Sequence, residues 1–143
     1  VLNMKRKFLS ISLILVILVS MTSALAAPRR ASDYLAGYGI SIEAQGNGLM
    51  EVFYDVDGTG WMTKIGAQAL FVEYKDGNTW RPYETILGIE HPEFYAYNAL
   101  GHSGYAYFTG KPGVEYRVTL QAYAGDSTGS DTGTITSFSE TCE

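Results

Sequence analysis

Residues 110–125, GKPGVEYRVTLQAYAG, constrain the fold more than any other stretch of the chain. Pro112 fixes the φ that the second position of a turn needs, and Gly113 tolerates the positive φ beside it. A period of two follows. Tyr116, Val118, Leu120, Ala122 and Ala124 fall on one face, and Arg117, Thr119 and Gln121 fall on the other, the pattern of a strand with one side buried. An apolar strand face must be covered by another layer. Beyond the first 26 residues the chain has no helical period, so that layer is expected to be a second sheet.

The same alternation marks six more strands. Tyr38, Ile40, Ile42 and Ala44 form the first, the glycine-rich turn at residues 45–48 reverses the chain, and Met50, Val52, Tyr54 and Val56 form the second. Phe53 interrupts the polar side of the second strand, so its face is either covered or a contact surface. Residues 57–66 read as a longer connection, residues 67–75 as the third strand, Asp76-Gly77-Asn78 as a hairpin turn, and residues 79–87 as the returning strand. Pro82 has no N–H to give a ladder and puts that strand at a sheet edge. Residues 87–101 are the longest irregular stretch. Tyr105, Tyr107 and Phe108 mark a fifth strand, residues 116–124 the sixth and residues 134–140 the seventh. Seven short strands at this spacing predict an all-β, seven-stranded antiparallel β-sandwich, with a single domain over residues 38–143.

Lys5-Arg6-Lys7, the apolar run at residues 8–19 and the small residues Ala24-Leu25-Ala26 have the order of a secretory signal peptide, with cleavage expected after Ala26. The apolar run is short for a bilayer span, so no membrane anchor is expected after cleavage. Residues 27–37 read as a flexible lead-in. Cleavage would remove three basic residues and take the formal charge from −5 to −8, which argues against nucleic acid or an anionic membrane as partner. Cys142 is the lone cysteine, so no internal disulfide can form, and stability has to come from packing.

The chain resembles a fibronectin type III module, one of the immunoglobulin-like sandwiches. PGVEYRVTLQAYAG is similar to that family's proline-glycine corner, with Tyr116 in the place of the corner tyrosine. LFVEYKDGNTW, residues 70–80, is similar to its third strand and hairpin. Tyr54 stands where the family usually has tryptophan, and Gly110 where a leucine usually precedes the proline. The pattern, with DVDGTGWMTKIGA and HSG, is also similar to small secreted proteins of unknown function from Gram-positive bacteria. The first likeness implies binding or spacing, and the second implies a secreted, extracellular location.

If strands simply alternate in direction, the tight connections gather at one pole and the long ones, residues 57–66, 87–103 and 125–132, gather at the other. Long loops on a rigid sandwich are the usual seat of recognition. The candidate ligand-binding residues at that pole are Trp61, Glu90, His91, Glu93, Tyr95, Tyr97, Asn98 and His102. Tyr95 and Tyr97 either reach a ligand or fold back as a lid on the core. Asp55 and Asp57 open a stretch that begins like a calcium loop, but Gly66 stands where its last, bidentate glutamate should be. Asp126 or Asp131 would have to complete the oxygen cage. Otherwise no metal and no cofactor is expected.

His91 and His102 lack the helical spacing of a zinc pair, His102-Ser103 lacks a nucleophile elbow, and Glu90 and Glu93 have no fixed separation as acid and base. Trp80 and Tyr83 on the edge hairpin form either an aromatic contact face or edge packing. The expectation is a secreted, non-catalytic module that binds an extracellular carbohydrate or protein. The rivals are a small antimicrobial or toxin-like protein and a hydrolase using Glu90, Glu93 or His102.

Overall fold

The computed structural model describes Ser32–Glu143. The expected signal peptide and the first part of the expected lead-in therefore lie outside the described residues. Seven strands form one antiparallel sheet: β1 (Leu35–Gly46), β2 (Leu49–Asp76), β3 (Thr79–Leu87), β4 (Tyr95–Thr109), β5 (Glu115–Gly125), β6 (Ser130–Thr136) and β7 (Glu140–Thr141). Two 3-10 turns, Gly88–Glu90 and Pro92–Phe94, join β3 to β4.

The 28-residue β2 organises the sheet. Its first part pairs with β1 on one side and with β4 on the other, while its second part pairs with β5 on one side and with β4 and then β3 on the other. The connection expected at residues 57–66 is thus not a loop. It is the corner at which one strand passes from one leaf of the sheet to the next. The β2–β4 register steps from Asp57↔Gly101 to Met62↔Ala99, so four residues of β2 stand opposite Leu100 alone. Extra residues in one strand bend it and raise its twist, and Gly58 supplies the room. A Cβ on Gly58 would meet the Met62 Cγ at 2.9 Å and the Leu100 carbonyl oxygen at 3.1 Å.

A second reset follows at Gln68, where the β2–β5 register steps from Ala67↔Ala122 to Ala69↔Gln121. The buried positions accordingly change phase, from Met50, Val52, Tyr54 and Val56 to Ile65 and Ala67, and then to Leu70 and Val72. Each phase keeps apolar side chains on the concave side of the curl, where they meet Val118, Leu120, Ala122 and Ala124 of β5 in one core cluster.

Other boundaries also move. β1 begins at Leu35 rather than Tyr38, so the end of the supposed flexible lead-in is strand. β4 begins at Tyr95, because residues 95–99 continue the ladder on β2 past the corner. Only Gly88–Glu90 and Pro92–Phe94, with His91 between them, remain of the long fourth connection. The sixth shrinks to the four residues between β5 and β6. The last expected strand divides into β6 and β7, because Ser137 turns inward to accept the Val118 N–H at 3.0 Å. The second connection is strand throughout and the fourth and sixth are each shortened by strand, so the grouping of long loops at one pole does not hold.

The chain's end seals the opposite side. Gly113 N–H donates to the Cys142 carbonyl at 2.9 Å and Gly48 N–H to that of Glu143 at 2.7 Å, tying two tight turns to the tail. The Cys142 side chain is buried beneath them. Tyr116 accepts the Lys111 N–H on its hydroxyl at 2.8 Å, pinning the turn that precedes β5.

Candidate functional site

The β3–β4 connector carries three of the expected site residues and is held by them. Gly88 lets it start, since a Cβ there would run into the Ala67 carbonyl oxygen. Phe94, 2% exposed, plugs the core with its ring 5.4 Å from that of Tyr54, a burial that contributes on the order of 2–3 kcal/mol. His91 stacks on Phe94 at 4.9 Å and 20°, and its Nδ1 lies 2.9 Å from Glu93 Oε1. His102, on β4, points to the concave side with its Nε2 2.8 Å from the Glu93 carbonyl oxygen. A carbonyl only accepts, so that nitrogen carries the proton. A backbone N–H bond, and then the bond to His91, hold the Glu93 carboxyl below the usual carboxylate range. Beneath them the Tyr54 hydroxyl is buried without a partner, and burial, with a smaller effect from the Glu93 charge, pushes its pKa up to about 12.

His91, Glu93 and His102 are therefore brought together, and their contacts are those of a clamp on the connector. Glu90 is exposed on the first turn. His102 and Ser103 are neighbours on a strand and face opposite sides, which separates the histidine from the hydroxyl that a nucleophile pair would require.

The remaining candidates belong to the corner. Tyr97 is in register with Lys64 and is 60% exposed. Asn98 has φ 50, the left-handed conformation that asparagine tolerates, so it serves to bend β4. Trp61 is 70% exposed on the four-residue bulge. Tyr95 lies under Lys64, whose Nζ sits 3.9 Å from its ring centroid and 5.8 Å from that of Tyr123. The tyrosine is half-buried, carries the lysine over its ring and also packs against the edge of the core cluster.

The four aspartates do not converge. Asp55 and Asp57 lie opposite glycines, with Asp55 between Gly39 and Ser103 in register and Asp57 between Gly37 and Gly101. Asp126 accepts the Thr128 N–H at 2.7 Å, and Asp131 accepts the Ser32 hydroxyl and the Tyr34 N–H. These bonds hold both carboxyls below their ordinary range. Among the described residues no three His, Cys, Asp or Glu side chains come together as a metal centre would need.

The most suitable surface is one that the loop-based expectation overlooked. On the outer face of the first leaf, register rows run Ser41, Phe53, Tyr105 and Glu43, Glu51, Tyr107. The Phe53 and Tyr105 rings lie 5.2 Å apart, and the Tyr107 hydroxyl donates to Glu51 at 3.0 Å, which raises the phenol's pKa. Tyr105 and Tyr107 are 55% and 53% exposed. The result is an aromatic strip, its Phe53 and Tyr105 rings tilted 51° to each other, flanked in register by carboxylates and serines. The signal was present in the sequence as Phe53 on the polar side of β2 and as two tyrosines alternating with Ala106 and Phe108.

Trp80 and Tyr83 part company. Trp80 faces outward under Arg117, 4.4 Å from the ring centroid, and Arg117 pairs with Glu73 at 2.8 Å. Tyr83 sits on a bulge of β3 and packs its ring against Tyr74, Phe108 and Tyr116 while remaining 45% exposed.

No protein-family model matches the chain, and a search of curated proteins found no match.

Proposed function

We propose that this protein is an exported, non-catalytic module that binds an extracellular carbohydrate on the outer face of its first leaf. The observation that carries the reading is the strip of half-buried Phe53 and exposed Tyr105 and Tyr107, with Glu51, Glu43, Asp55, Ser41 and Ser103 in the adjoining register positions. Aromatic rings present a flat apolar surface to the C–H face of a sugar, and carboxylates and hydroxyls take its O–H groups. The site thus moves from the expected loops to a sheet face, whose rigidity limits the ordering cost of binding. Export rests on the leader at residues 1–26.

The finer architectural reading belongs here as well. We regard the curled sheet as a variant of the fibronectin type III-like sandwich. The Lys111 N–H to Tyr116 hydroxyl bond supports that reading because a corner tyrosine bonds back to upstream backbone in this way. The unbroken β2 is its departure from two separate sheets.

The test is an array of bacterial and host glycans probed with the protein and with Tyr105→Ala, Tyr107→Ala and Trp61→Ala. Each tyrosine substitution is expected to weaken binding about three- to tenfold, and Trp61→Ala to leave it unchanged. Glycan binding that survives the double tyrosine substitution refutes the assignment.

A further inference from the structure

We propose that the free edge of β4, residues 103–108, accepts an extended, basic peptide as an added strand. The proposal concerns the edge of the sheet rather than its face, and does not depend on the carbohydrate reading. β4 pairs only with β2, β3 pairs only with β2, and among the described residues no backbone bond links β3 to β4. The curl is therefore open along a seam between these two strands.

The two ends of the seam are closed by side chains. At one end the Tyr83 hydroxyl donates to the Thr109 carbonyl at 2.7 Å, and at the other His102 holds the Glu93 carbonyl. Between these points lies a run of strand backbone with partners on one side only. Natural edges are usually guarded by proline, charged side chains or bulges. β3 has all three, in Pro82, Arg81 and Glu84, and the bulge at Tyr83. The facing stretch of β4, SGYAYF, has none of them.

A cavity of about 240 Å³ opens beside this edge, bounded by Ile86 of β3, by His91, Glu93 and Phe94 of the connector, and by Tyr105, Ala106 and Tyr107 of β4. Its apolar floor of Ile86, Phe94 and Ala106 suits one aliphatic side chain of an incoming strand. Alternate residues of such a strand would point away from it.

Charge fixes the occupant's character. All 15 carboxylate residues of the chain lie within the described residues, while Lys5, Arg6, Lys7, Arg29 and Arg30, half of the 10 basic ones, precede them. The carboxylate at the cavity is Glu93, beside His91, and the remaining polar lining is the Tyr105 and Tyr107 phenols. A peptide that alternates β-branched and basic residues matches the edge, the floor and the field together.

The probe is a synthetic array of ten-residue peptides alternating Val, Ile or Thr with Lys or Arg, beside the same peptides carrying Glu. Hits are then followed by amide hydrogen exchange on the folded protein. Basic peptides are expected to bind and acidic ones not to, with new protection confined to amides of residues 103–108. Glu93→Lys is expected to weaken the basic peptides about three- to tenfold and to strengthen the acidic ones, a reversal that loss of its bond to His91 would not by itself produce.

Absence of binding across the array overturns the proposal, as does binding that protects other amides. A concentration-dependent dimer that protects the same amides without peptide also overturns it and assigns the edge to a second copy. Loss of peptide binding with glycan binding intact would leave the aromatic face standing, and the reverse would leave the edge standing.

Discussion

Gly104 makes room for Tyr54. The two are paired across the β2–β4 ladder, and a Cβ on Gly104 would lie 2.5 Å from the Tyr54 hydroxyl oxygen and 2.9 Å from the carbon bearing it. Gly104→Ala is therefore expected to destabilise the fold by about 1–3 kcal/mol. Tyr54→Phe removes a buried hydroxyl that has no partner, and is expected to be neutral or to stabilise by up to about 1 kcal/mol. Combined, the second change should relieve part of the first. Urea unfolding of the four proteins in this double-mutant cycle measures the coupling, expected to exceed about 0.5 kcal/mol. Strict additivity would mean that the hydroxyl is not the obstacle.

Gly66 has less latitude still. It has φ 152, and a Cβ on it would collide with the Phe94 carbonyl and approach the Tyr95 Cα at 2.9 Å. These are backbone atoms, which cannot swing aside as a side chain does. Gly66→Ala is expected to cost about 3 kcal/mol or more, read as a fall in melting temperature of well over 10 °C for a domain of this size.

The pH dependence has two arms. Hydrogen bonds from Thr128 to Asp126, from Ser32 to Asp131 and from Ser139 and Lys75 to Glu115 hold these carboxyls below their ordinary range, as backbone and His91 bonds do for Glu93. A carboxyl with a depressed folded pKa contributes stability that is present above its unfolded pKa and is lost as pH falls through the folded value. The melting temperature should hold near neutrality and drop below about pH 4. At the alkaline end the sign reverses, because Tyr54, pushed up to about 12, stays protonated where the unfolded phenol has ionised. Its contribution is complete below pH 10 and is lost between there and pH 12. A thermal melt series over both ranges checks the two arms, and the alkaline loss should shrink in Tyr54→Phe.

Cys142 is 2% exposed, with backbone bonds on either side of it to Val114 and Gly113. Its thiol is expected to react with a disulfide reagent only when the tail opens, so labelling should be slow in buffer and fast in denaturant. Rapid native labelling would show that the tail does not cover it.

Strand identity was legible in the sequence wherever one period of two ran unbroken, as in β1, the first part of β2 and β5. Strand continuity was not. Asp57, Gly58, Thr59 and Gly60 have the composition of a turn, and glycine-rich polar residues look alike whether they end a strand or bend it. The phase change at Gln68 and the left-handed Asn98 similarly erase the alternation on which the reading depends, so residues 95–99 passed for loop. His91, Glu93 and His102 do lie within bonding distance of one another, yet composition could not show that their bonds would be made to one another and to the connector. The aromatic face was visible as the anomaly at Phe53, but recognising it required the register that sets Tyr105 beside that ring.

Because a single continuous thread of backbone, β2, belongs to both leaves, neither leaf has a boundary at which it can come apart alone. Heat or force that frays one must pull on the other through the corner at Gly58 and Gly60. Calorimetry should accordingly record one transition, with no half-melted species between its limits.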